Sequence, residues 1–169
     1  GSAKIMDNRP VRPSIIVYKV AFGLLGFSAL VTEVTTLVER GVFNPATFFS
    51  YFTIQNNLMA AGTLLVGALL TAAGRGSTLD AWRGAVTVYI LTVGIGFVAL
   101  LSSMDTLVFT AVPWDNIVLH YLMPLALLGD FILDPPSRRL RLRPSLLWLL
   151  YPVAYVAFSL VRGSLTGWY

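Results

Sequence analysis

Apolar residues run along this chain in five long stretches, each bounded by proline, glycine or charge. A bilayer core of about 30 Å takes about 20 helical residues to cross, and each stretch approaches or exceeds that length. The first covers 15–38, behind Lys4, Arg9 and Arg12 and with Lys19 in its opening turns. It is too long for a signal-peptide core and has no small-x-small exit, so it reads as a retained helix. The second covers 48–73 and is closed by Gly74-Arg75-Gly76, a turn composition. The third covers 81–101. The fourth opens at Pro113-Trp114 with Asp115 in its first turn and stops before Asp134-Pro135-Pro136, where two prolines forbid continuation. The fifth covers 146–161. Gly94-Ile95-Gly96 lies inside an apolar helix with no strand before it, so it reads as a close-packing spot rather than a dinucleotide loop.

Composition agrees with the pattern. Of 169 residues, 56% are apolar and 12% charged, against about 25% charged in ordinary globular domains. The expected fold is therefore an all-α, polytopic integral membrane bundle of five transmembrane helices. A cytoplasmic N-terminal tail at 1–14, whose Gly1-Ser2 reads as a tag remnant, precedes a single transmembrane domain at 15–169. The absence of cysteine removes disulfides, thiolate metal sites and thiol nucleophiles. A single histidine rules out a multi-histidine metal site or bis-histidine haem within one chain, and no cofactor or metal is expected.

The net charge of +4 matters through its placement. Positively charged loops stay cytoplasmic. Ten of the twelve Lys and Arg residues fall in the N-terminal tail and first turns, around Arg75 and Arg83, or in the stretch with Arg138, Arg139, Arg141 and Arg143; the opposite loops keep Arg40 and Arg162. That split predicts a cytoplasmic N-terminus. The basic stretch then sets topology and meets anionic headgroups; membrane lipids are the expected partners and nucleic acid is not. Trp82, Trp114, Trp148 and Trp168 fall near span ends, where interfacial tryptophans belong. Asp130 and Asp134 are expected to pair with the arginines that follow them.

Polar residues inside the spans are the informative minority, because ionisable and amide groups are expensive in hydrocarbon. Glu33 lies near the outer end of the first helix, and Thr53, Gln55, Asn56 and Asn57 near that of the second. Ser102, Ser103 and Asp105 end the third, Asn116 and His120 occupy the first two turns of the fourth, and Arg162 closes the fifth. The layer sits at the outer-leaflet level, above inner halves that read as nearly pure Leu, Ala, Val and Ile. Thr53, Asn56 and Asn57 share one helical face; Asn116 and His120, four apart, share another. Taken singly, a threonine in such a helix usually bonds the carbonyl one turn back, and the asparagines serve as interhelical glue. An intramembrane histidine is by default a functional residue.

At these residues the chain resembles a known family. The segments Phe48-Phe49-Ser50-Tyr51-Phe52-Thr53-Ile54-Gln55-Asn56-Asn57, Trp114-Asp115-Asn116 with Leu119-His120-Tyr121 and Pro124, Tyr151-Pro152, and Arg162-Gly163 through Gly167-Trp168-Tyr169 look like the bacterial branch of the androgen-induced-protein-like membrane family. Its animal members are threonine hydrolases of fatty acid esters of hydroxy fatty acids. The resemblance places the nucleophile on Thr53 and the histidine on His120. Family members usually continue into a sixth span, whereas this chain stops at Tyr169.

The implied chemistry is hydrolysis of a lipid ester. An alcohol becomes a competent nucleophile when a base removes its proton, and histidine can do so and then protonate the leaving alcohol. Asn56 and Asn57 are the candidate oxyanion donors; Asn116, Glu33 and Asp115, in that order, are candidates to orient the imidazole. The competing expectation is a non-catalytic lipid-binding or transport protein in which His120 is a protonation switch.

Overall fold

The computed structural model describes residues 10–101, 112–137 and 139–167. Lys4, Arg9, Ser102, Ser103, Asp105, Arg138 and Trp168, each given a place above, lie outside the described residues. No strand occurs among the described residues, and five helices are long and apolar enough to cross a membrane: Pro13–Glu39, Phe52–Ala72, Gly76–Leu100, Pro113–Leu133 and Leu142–Thr166. The chain is a polytopic, all-α membrane protein.

The helix limits follow local chemistry. Proline stands at the first position of the first and fourth helices, where its missing N–H costs nothing. The expected second span, 48–73, divides in two. Pro45–Phe48 forms a single turn capped by Asn44, whose side chain accepts from Thr47 N at 3.1 Å. Tyr51 is extended (φ −69°, ψ 131°) and opens the long helix at Phe52. The third helix begins with a 3₁₀ turn at Gly76–Leu79 and ends in a π turn, Phe97–Leu101.

The chain forms two units, Gly1–Ser137 and Arg138–Tyr169. In the first, four helices pack around Leu64, Val86, Ile90, Leu119, Met123 and Leu127. Small residues let the first and second helices approach closely: a Cβ on Gly23 would lie 2.7 Å from Leu65, and one on Gly26 would meet Met123 at 2.7 Å and Ala61 at 3.3 Å. The second unit contains the fifth helix, which ends at Gly167 (φ +66°), and within which the Arg162 guanidinium lies 5.9 Å from the Phe158 ring centroid.

One end of the four-helix unit departs from expectation. The halves expected to be apolar are not purely so, since Lys19 and Arg83, counted above among residues that set topology, are buried there. Lys19 Nζ lies 2.9 Å from Asp130 Oδ1 and 2.9 Å from Asp134 Oδ2. Arg83 Nε reaches Asp130 Oδ2 at 2.9 Å, and its Nη1 reaches Asp80 Oδ1 at 3.1 Å. Arg12 adds a contact to Asp134 Oδ1 at 3.3 Å. The partners of Asp130 thus come from the first and third helices rather than from the arginines that follow it. The physical reason is depth: a carboxylate taken out of water requires a cation at the same level, and Lys19 and Arg83 occupy that level.

Candidate active site

The opposite end of the four-helix unit carries the second polar layer, and there Thr53 and His120 meet. Thr53 Oγ1 lies 3.3 Å from His120 Nε2. That is just beyond the usual reach of about 2.6–3.2 Å between a nucleophile and its base, and such contacts are often looser without ligand.

Position within the helix explains why Thr53 is available. Thr35, Thr87, Thr92 and Thr166 each donate to the carbonyl four residues back, to Val31, Arg83, Val88 and Arg162. Thr53 is the second residue of its helix, so the residue four back, Phe49, lies outside it; the Phe49 carbonyl accepts Gln55 Nε2 at 2.9 Å instead. The local outlet for a helical threonine is thereby closed, and the half-buried hydroxyl faces the imidazole.

His120 stands in a π turn, Val118–Leu122, inside the fourth helix. Pro124, four residues on, has no N–H to offer the His120 carbonyl, and its ring would crowd that carbonyl in a regular helix; a wider turn relieves both. The third helix closes on this turn through Gly94, where a Cβ would stand 3.1 Å from His120 O and 3.0 Å from Pro124 Cγ. Phe97 then stacks on the imidazole, with centroids 4.0 Å apart and planes 23° from parallel. Gly94 is the close-packing residue its sequence context suggested, whereas a Cβ on Gly96 would meet nothing within 4 Å.

The imidazole is oriented by the main chain. His120 Nδ1 lies 3.2 Å from the Asn116 carbonyl oxygen, which can only accept, so Nδ1 donates. A neutral ring in that tautomer presents the lone pair of Nε2 to Thr53. Asn116 was the first candidate for this role, and it acts through its backbone; its side-chain Oδ1 is buried and accepts no hydrogen bond among the described residues. Glu33 and Asp115, the other candidates, are buried at this end with interactions of their own, while the Nδ1 proton is taken by Asn116.

Asn57 also differs from expectation. Asn57 Nδ2 donates to Thr53 O at 2.9 Å and to Leu119 O at 3.0 Å, so both of its protons are engaged and none remains for an oxyanion. Asn56 Nδ2 donates to Phe52 O at 2.7 Å. The amides of Thr53 and Ile54, second and third in the second helix, have no carbonyl one turn back inside the helix. Sequence reasoning missed Phe97 and the turn that carries His120; Pro124, mid-helix and four residues past the histidine, was the available signal.

Comparison with protein-family profiles, curated proteins and solved structures returns no match to this chain.

Proposed function

We propose that this protein is an intramembrane hydrolase of lipid esters, of the class of fatty acid esters of hydroxy fatty acids, with Thr53 as nucleophile and His120 as general base. The observation that carries the reading is the 3.3 Å approach of Thr53 Oγ1 to a His120 Nε2 whose ring partner, the Asn116 carbonyl, leaves that nitrogen as the acceptor. The resemblance of the segments around both residues to the androgen-induced-protein-like family points the same way.

The reaction proceeds in two halves. Thr53 Oγ attacks the ester carbonyl carbon while its proton passes to His120 Nε2. The oxyanion is met by the Thr53 and Ile54 amides, on the same turn as the nucleophile. Collapse of the tetrahedral intermediate breaks the bond to the leaving alcohol, which takes the proton back from His120. Water, deprotonated by the same nitrogen, then attacks the acyl-Thr53 ester and releases the fatty acid and free Thr53. The distribution of basic residues supports a site near the outer leaflet, with the N-terminus cytoplasmic.

The test is hydrolysis of a lipid ester or a nitrophenyl ester by the detergent-solubilised protein. Thr53→Ala and His120→Ala are each expected to lower turnover by about 10²–10⁴-fold. Wild-type turnover in both variants would remove this mechanism even if hydrolysis itself were real. Saturable lipid binding with no turnover would favour a lipid-binding protein instead.

A further inference from the structure

One carbonyl in the turn that bears His120 has lost its main-chain donor. In a regular helix Leu119 O would accept from Met123 N, but the π turn sends Met123 N–H to Val118 O. In the wider register the next donor would come from position 124, which is proline. Leu119 is buried, and a buried carbonyl with no donor costs as much as a lost hydrogen bond. The donor that reaches it is Asn57 Nδ2, at 3.0 Å from another helix.

The second proton of the same nitrogen goes to Thr53 O at 2.9 Å. One planar, fully buried amide therefore grips the nucleophile's own carbonyl on one side and the residue adjoining His120 on the other. Its two N–H bonds diverge at a fixed angle, so the two main chains cannot slide past one another without losing a bond. Asn57 Oδ1, equally buried, accepts nothing among the described residues. A residue held only for packing would gain nothing from that uncompensated oxygen; the position requires the two donors. An ionised Asp supplies none, Ser supplies one, and Gln places them a methylene further out.

We infer that Asn57 is a positioning residue of the Thr53–His120 pair: standing in for the N–H that Pro124 lacks, it fixes the register between the helix that carries the nucleophile and the turn that carries the base. The inference rests on the hydrolase reading for its effect on turnover and on the geometry alone for its effect on the ring.

The test uses both. His120 is the chain's single histidine, so protein labelled with [15N]histidine gives the resonances of one ring. Asn57→Ala is expected to lower kcat by about 100-fold, the scale of a displacement near 1 Å, with KM within about twofold. Its Nε2 resonance should move toward that of Thr53→Val, in which no hydroxyl faces the ring. Pro124→Ala supplies an N–H to the turn, so the Asn57→Ala/Pro124→Ala double variant should regain thermal stability relative to Asn57→Ala while its kcat stays well below that of Pro124→Ala alone. Recovery of kcat together with stability would reduce Asn57 to a folding donor and overturn the inference. So would an Asn57→Ala protein with wild-type kcat and a wild-type Nε2 resonance. If the parent protein has no Thr53-dependent turnover, the hydrolase reading falls, and the Nε2 resonance alone decides the role of Asn57.

Discussion

At Thr53 the controlling circumstance is what lies one turn earlier. A threonine further along the same helix would return its hydroxyl to a backbone carbonyl, as Thr87 and Thr92 do. At the second position of the helix that acceptor is gone, and the imidazole takes its place. The hydroxyl rather than the side chain's bulk should therefore govern activity. Thr53→Ser is expected to retain measurable ester hydrolysis, while the isosteric Thr53→Val falls by about 100-fold or more. Thermal midpoints of both in detergent should stay near that of the parent, since one partly exposed hydrogen bond contributes about 1 kcal/mol. That Thr53 and His120 lie on polar faces at one depth was legible in the sequence from spacings of three and four, which left open whether those faces meet each other or water. The atoms were not. Any residue four before a helical histidine offers it a carbonyl, so the Asn116 side chain carried no information about the bond its backbone makes. Phe97, one aromatic within an apolar run, gave no sign that it stacks on the imidazole.

Among the elements, the fourth helix does the most to shape the site, and it does so by being irregular. Pro124 forces a π turn, the turn carries His120, and Gly94 lets the third helix close over it. A methyl group at position 94 would press on His120 O and Pro124, neither of which yields as a flexible side-chain tip does. Gly94→Ala should therefore destabilise the protein by about 1–3 kcal/mol despite alanine's better helix propensity, and lower kcat with it. Gly96→Ala, with open space around it, should leave stability unchanged or raise it by up to about 1 kcal/mol. Parallel thermal melts in detergent separate the two. Span existence was legible from apolar runs alone. The break at 49–51 was not, because Phe48 and Phe49 continue the run without interruption, while Pro45 and the Asn44 cap build a separate turn just before it.

Across the four-helix unit, polarity is concentrated at two ends with an apolar core between them. One end holds Thr53 and His120; the other holds a closed ion cluster in which Lys19, Arg83 and Arg12 meet Asp80, Asp130 and Asp134. Sequence reading treated Lys19 and Arg83 as loop charges because basic residues at span ends normally snorkel to water, and the carboxylates that hold these two inside come from distant positions. The cluster joins the first, third and fourth helices, so its loss should act on the whole unit. Lys19→Met removes one partner from two buried carboxylates and is expected to cost about 3–5 kcal/mol of stability. Adding Asp130→Asn should return part of that loss, and denaturation of the single and double variants reads the coupling directly.

In the proposed mechanism Thr53, activated by His120, forms the covalent intermediate. Peptide mass spectrometry after treatment with a fluorophosphonate tests it most directly. One adduct is expected, on the peptide containing Thr53, and it should disappear in His120→Ala. An adduct on any other residue, or labelling of Thr53 undiminished in His120→Ala, would contradict it.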